Sequence, residues 1–179
     1  NHIGKEPLNS LIVEEALTQR VQEDLNPLPS EEGLFLRNEI SLAGYKRLLA
    51  ITSLDGLVEA SQLSRILGGV GNDIQLMLTK IFWEEYGGGK LSRKHSSHFI
   101  NMLKECNMKT RPEAYFNLVP WEVLANINHS FLLSERKQNY LRYVGGLLYI
   151  EVSAPSSFRN YQKAGKRIGL SKAGTSYWD

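Results

Sequence analysis

The sequence predicts an all-α protein, and three observations predict it. Apolar residues recur at helical spacing, about every 3.6 residues, through most segments. Strict apolar–polar alternation over strand lengths is scarce. Prolines, glycines and small polar residues fall where helices would start and stop, so each boundary has a residue-level cause.

A first helix is expected over Asn9 to Leu25, stopped by Pro27 and Pro29. A second opens at Ser30, a capping residue followed by Glu31 and Glu32 in the dipole-favoured first turn, and extends to about Thr52. Asp55 is expected to cap a third that ends at Gly68-Gly69, and Asn72 a fourth that runs through Trp83 to the glycines at 87, 88 and 89. Then come a helix from Ser92 to Cys106, a loop with Pro112, and helical segments at Pro120 to Leu132 and Glu135 to Ser153, with Pro155 as the terminator. Ser156 to Ile168 forms one more, ended at Gly169, and Gly174-Thr175-Ser176 reads as a loop leading into the N-cap of a further helix.

A chain of 179 residues supports one domain with one sizeable core, and no linker or repeat divides it. Lys and Arg number 21 against 19 Asp and Glu; only Arg159, Lys163, Lys166, Arg167 and Lys172 cluster, which argues against a nucleic-acid surface. The longest nearly apolar stretch, Tyr143 to Ile150, is far short of the ~20 residues that span a bilayer, and no signal peptide opens the chain, so a soluble protein is expected. The single Cys106 has no intrachain partner, which suits a reducing, cytoplasmic setting.

The candidate chemistry begins on the fourth helix, where Ile74, Leu78 and Ile81 form one stripe and Glu85 continues it. A carboxylate on an apolar stripe is costly unless paired, protonated or metal-bound; otherwise Glu85 escapes to water from a frayed last turn, while Glu84 points to the flank. Glu151 is the one formal charge between Tyr143 and Val152, and Gly145 and Gly146 there suggest close helix contact, hence a central helix. The plain structural alternative is a salt bridge from Glu151 to Arg142 or Arg47.

His95 and His98 stand three residues apart on one helix face, a spacing that by itself is as often solvated or packed as ligating. His129 lies on an otherwise apolar helix and reads as a hydrogen-bonded core residue. Taken together, Glu85, His95 and Glu151 on separate helices make an oxygen-rich donor set that suits iron first and manganese second, with zinc disfavoured for want of thiolates.

The run Glu85-Tyr86-Gly87-Gly88-Gly89, with His95 ten residues after Glu85 and Glu151 sixty-six after it, resembles the iron-containing redox enzymes of the heme-oxygenase-like diiron oxidase and oxygenase family. The resemblance covers about Tyr45 to Asp179 and implies a heme-oxygenase-like bundle of about seven helices. It implies that Glu85, His95 and Glu151 are ligands, Glu85 and Glu151 also catalytic, for two ferrous ions that activate dioxygen to oxidise a small organic substrate, in a protein that is often a homodimer. Tyr177-Trp178-Asp179 is similar to the stretch that introduces a final core helix with further ligands, expected after Asp179.

Two other readings share the bundle. One is a metal-free enzyme of the thiaminase-like or quinone-cofactor-biosynthesis branches. The other is a helical interaction module similar to the chlamydial protein named for associating with death domains and its cyanobacterial relatives. Heme binding is disfavoured because the only histidine near the amino terminus is His2.

Overall fold

The computed structural model describes residues 10–25, 27–58, 60–69 and 71–179. Asn9 and His2 lie outside the described residues. The elements are α1 (Ser10–Leu25), α2 (Glu31–Asn38), α3 (Leu42–Gly56), α4 (Ser61–Ile66), α5 (Asn72–Glu85), α6 (His95–Glu105), α7 (Trp121–Glu135), α8 (Tyr140–Arg167) and α9 (Lys172–Thr175), joined by 3₁₀ turns. The architecture is all-α, with no strand among the described residues. No helix there is long and apolar enough to cross a membrane.

Three apolar clusters hold the helices together. Tyr45 and Leu49 of α3, Phe99, Met102 and Leu103 of α6, Ala164 of α8 and Trp178 form the first. Its centre is Tyr45, with no exposed surface; its hydroxyl donates to the Tyr161 carbonyl at 3.2 Å and accepts the Trp178 indole N–H at 2.9 Å. Phe99 packs edge-on to Tyr177 and Trp178, at 4.9 and 6.4 Å between centroids. Gly56 lets α3 meet α6, because a Cβ there would stand 2.7 Å from the Phe99 ring.

The second cluster joins Leu63 and Ile66 of α4, Leu78 of α5, Leu133 of α7 and Tyr143 of α8. Ile74 and Ile81 pack against it, so the stripe read from the sequence does face the interior. The third joins Ala50 and Leu54 on another side of α3 to Tyr115. α8, at 28 residues, is about 42 Å long and takes part in both large clusters, through Tyr143 near one end and Ala164 near the other.

Several expected boundaries differ. The second helix is two, because buried Ile40 occupies the break and Ser41 starts α3 afresh, its hydroxyl accepting from the Gly44 N–H at 3.2 Å. Asp55 lies inside the last turn of α3 and caps nothing; α4 starts after Ala60, whose φ of 62° is left-handed. Pro155 does not end its helix: α8 runs through it, losing one backbone hydrogen bond while the halves are anchored in different clusters. Gly174-Thr175 is no loop, since both residues belong to α9, which is capped by Ser171, whose hydroxyl accepts from the Gly174 N–H at 3.0 Å.

The basic cluster is partly structural. Arg167 donates to the carbonyls of Arg37 and Ile40, and Arg159 to that of Leu25, so these side chains stitch α8 to the amino-terminal helices. Cys106 is buried and free, and burial pushes its thiol pKa up.

Candidate metal centre

Glu85 is the last residue of α5 and His95 the first of α6, and the nine residues between them turn the chain back on itself. Gly87, Gly88 and Gly89 have φ of 62°, 62° and 78°, a run that residues with a Cβ rarely adopt. At Gly87 the packing is also absolute, because a Cβ would stand 2.5 Å from the backbone nitrogen of Lys94. Tyr86 closes the end of α5 by packing on Phe82, 4.4 Å between centroids, and the Lys94 ammonium sits over its ring at 4.5 Å. Tyr86 therefore packs.

This turn brings His95 Nδ1 to 2.8 Å from Glu85 Oε2. The Glu85 side chain is only 18% exposed and that oxygen is buried, so it has not escaped to water from a frayed end. Oε2 has no hydrogen-bond partner, and the His95 imidazole beside it forms an ion pair with it when protonated. Two donor atoms this close without a hydrogen bond between them suit adjacent ligands of one cation, which at bond lengths of about 2.1 Å would stand about 3 Å apart. The carboxylate–imidazole pair thus fits a divalent redox metal in chemistry and in separation.

Glu151 joins the same neighbourhood from α8. Its carboxyl pKa is raised first by loss of hydration, then by the charge of Glu85, with Glu84 adding to the effect and His95 opposing it. The residue is nonetheless exposed, where a buried central position was expected. The two facts agree if Glu151 lines a cleft that water enters and protein flanks. Gly145 and Gly146 are also exposed, with no atom within 4 Å of a built Cβ, so they mediate no helix contact among the described residues.

Of the alternative salt bridges of Glu151, to Arg142 or Arg47, neither forms among the described residues, and the Arg47 guanidinium donates to the Leu118 carbonyl. One turn on, Pro155 has no N–H to offer the Glu151 carbonyl.

Asp55 is the residue that sequence reasoning missed. Its carboxyl pKa is raised by loss of hydration and by the charge of Glu85, which places it beside the site. Its surface is nonetheless exposed to water. The adjoining Tyr143 phenol is pushed up to about 12 by burial and by Asp55. An aspartate after a helical stretch reads as the cap of the next helix, and that signal masked its place in the last turn of α3, within electrostatic range of Glu85.

Glu85 and His95 are thus in contact, with Glu151 and Asp55 in electrostatic range. No group of three His, Cys, Asp or Glu among the described residues closes on a single metal position. His98 turns elsewhere, with Nδ1 2.9 Å from the Ser176 hydroxyl, and His129 is exposed on α7, where a core position was expected.

The sequence profile of a family described as iron-containing redox enzymes matches residues 46–179. A nitrosourea synthase of Streptomyces achromogenes subsp. streptozoticus is 30% identical over 99 residues, which make up 55% of this chain and 21% of that protein. The match therefore spans about a fifth of the relative's length.

Proposed function

Because the chain belongs to the family of iron-containing redox enzymes, with the all-α heme-oxygenase-like fold, we propose that it is a non-heme diiron oxidase or oxygenase acting on a small organic substrate. Its coarse class is that of an oxidoreductase. The observation that carries the finer reading is the buried Glu85 Oε2 held 2.8 Å from His95 Nδ1 across the glycine turn. Glu85, His95 and Glu151 would hold ferrous iron, with manganese as second choice; Asp55 and Glu84 are further carboxylates within electrostatic reach of them. Bound there, the iron supplies the electrons that activate dioxygen for oxidation of the substrate.

The protein's own part is to orient donors and to manage protons. The glycine turn fixes the separation of Glu85 and His95 before any ion arrives. Burial and the charge of Glu85 raise the Asp55 carboxyl pKa, and Tyr143, beside Asp55, stays a neutral phenol well above neutrality and so offers an O–H donor. The nitrosourea synthase is named for a product at nitrogen, which makes nitrogen oxidation one substrate chemistry to test.

The test is anaerobic titration of the full-length protein with ferrous iron, then rapid mixing with dioxygen, for wild type, Glu85→Ala and Glu151→Ala. Two irons per chain and a transient visible absorption, both lost in the variants, are expected. No uptake by wild type would sink the reading and put the metal-free enzyme ahead, with the Glu85–His95 contact then an ordinary ion pair.

A further inference from the structure

His98 lies one turn after His95 on α6, half-buried, outside the site as described. Its Nδ1 is 2.9 Å from the Ser176 hydroxyl, and that hydroxyl is also 2.9 Å from the Ala173 carbonyl oxygen. A serine hydroxyl has one hydrogen and two lone pairs, whereas a carbonyl oxygen has no hydrogen to give. The single hydrogen therefore goes to Ala173. The contact with the imidazole is then a hydrogen bond only if the imidazole donates.

We propose that His98 is a positioning residue: it carries its proton on Nδ1, donates it to Ser176 Oγ, and so ties the terminal turn at 176–178 to the helix that presents His95. Independent contacts put the turn and the α9 cap before it on the same helix. Phe99 packs edge-on to Tyr177 and Trp178, and Glu105, at the other end of α6, accepts from the N–H and hydroxyl of Ser171. Hydrophobic contacts allow a turn to slide, but a donor on a helix and a hydroxyl on the turn set its register. Register matters here because a shift of the turn would be passed along one helical turn, from His98 to His95. That last step rests on the metal-binding reading above.

The experiment has two arms on the full-length protein. In the first, long-range proton–nitrogen spectra at about pH 8 read the tautomer of His98 in wild type and in Ser176→Ala, and amide exchange reads protection of residues 176–179. An Nδ1-protonated His98 that loses this preference in Ser176→Ala is expected. So is exchange about fivefold to tenfold faster in His98→Asp, which when ionised offers only an acceptor at that place, but near wild type in His98→Asn, which keeps a donor.

An Nε2-protonated His98 in wild type, or equal protection in both variants, overturns the proposal. In the second arm the same proteins are titrated anaerobically with ferrous iron. Weaker binding in His98→Asp, restored in His98→Asn, is expected; equal binding by all three overturns the positioning role. If wild type takes up no iron while the first arm holds, the functional reading has failed and the tautomer and latch stand.

Discussion

Glu105, the last residue of α6, holds the capping residue of α9, sixty-six positions later: its carboxylate accepts the Ser171 backbone N–H at 2.9 Å and the Ser171 hydroxyl, while that hydroxyl accepts from the Gly174 N–H. These bonds hold the Glu105 pKa below the usual glutamate range. An acid whose folded pKa is depressed contributes stability that is present above its unfolded pKa, about 4.3, and is lost as pH falls through the folded value. Glu105 is exposed, so solvent screens much of this. Glu105→Ala is expected to lower unfolding stability by about 1 kcal/mol at neutral pH, a difference that shrinks in acid. Urea midpoints for both proteins at neutral and acid pH check it.

Asp55 should behave in the opposite sense. Its folded pKa is raised, so between its unfolded value, about 3.9, and that raised value the folded state binds more protons than the unfolded one. Its contribution therefore falls as pH rises through that window and stays unfavourable above it. Asp55→Asn removes the penalty, and the metal-free variant is expected to be more stable than wild type at neutral pH but not at low pH. A wild-type advantage at neutral pH in urea titrations of metal-free protein would refute this.

Gly87→Ala meets both a positive φ and a backbone contact, and a loss of about 2 kcal/mol is expected, together with weaker iron uptake. Gly146→Ala, a helix-interior position with open space around the built Cβ, is expected to stabilise by about 0.5–1 kcal/mol and to leave iron uptake unchanged. The opposite signs make the pair a control for each other in thermal unfolding.

Tyr45→Phe leaves the buried Trp178 indole N–H without its acceptor, 2.9 Å away in the native protein. A loss of about 1–3 kcal/mol is expected, larger than for Tyr86→Phe, whose ring contacts survive the substitution. Chemical denaturation of the two variants decides it.

How far the sequence could be read depended on whether the governing interaction was local. Leu25 before Pro27-Leu28-Pro29, and the glycines after Glu85, end helices through sterics confined to a few residues, and those ends lie where expected. The stripe of Ile74, Leu78 and Ile81 needs only helical period, and it faces the core. Pro155 and Asp55 are signals that tertiary structure overrode: two separate cores hold α8 straight through the proline, and the end of α3 takes in the aspartate.

Glu85 and His95 are paired in the sequence only through the family resemblance; their contact arises because the glycine turn between them is short. The exposure of Glu151 was not legible, since a strongly apolar helix reads as central wherever its neighbours stand.

The turn from Gly87 to Lys94 has a thermodynamic consequence for any ion that binds. Because the backbone already fixes the carboxylate and the imidazole side by side, on the metal-binding reading the two would act as a preformed chelate. The loop-closure entropy of joining positions 85 and 95 is spent in folding α5 against α6, not in capturing the ion.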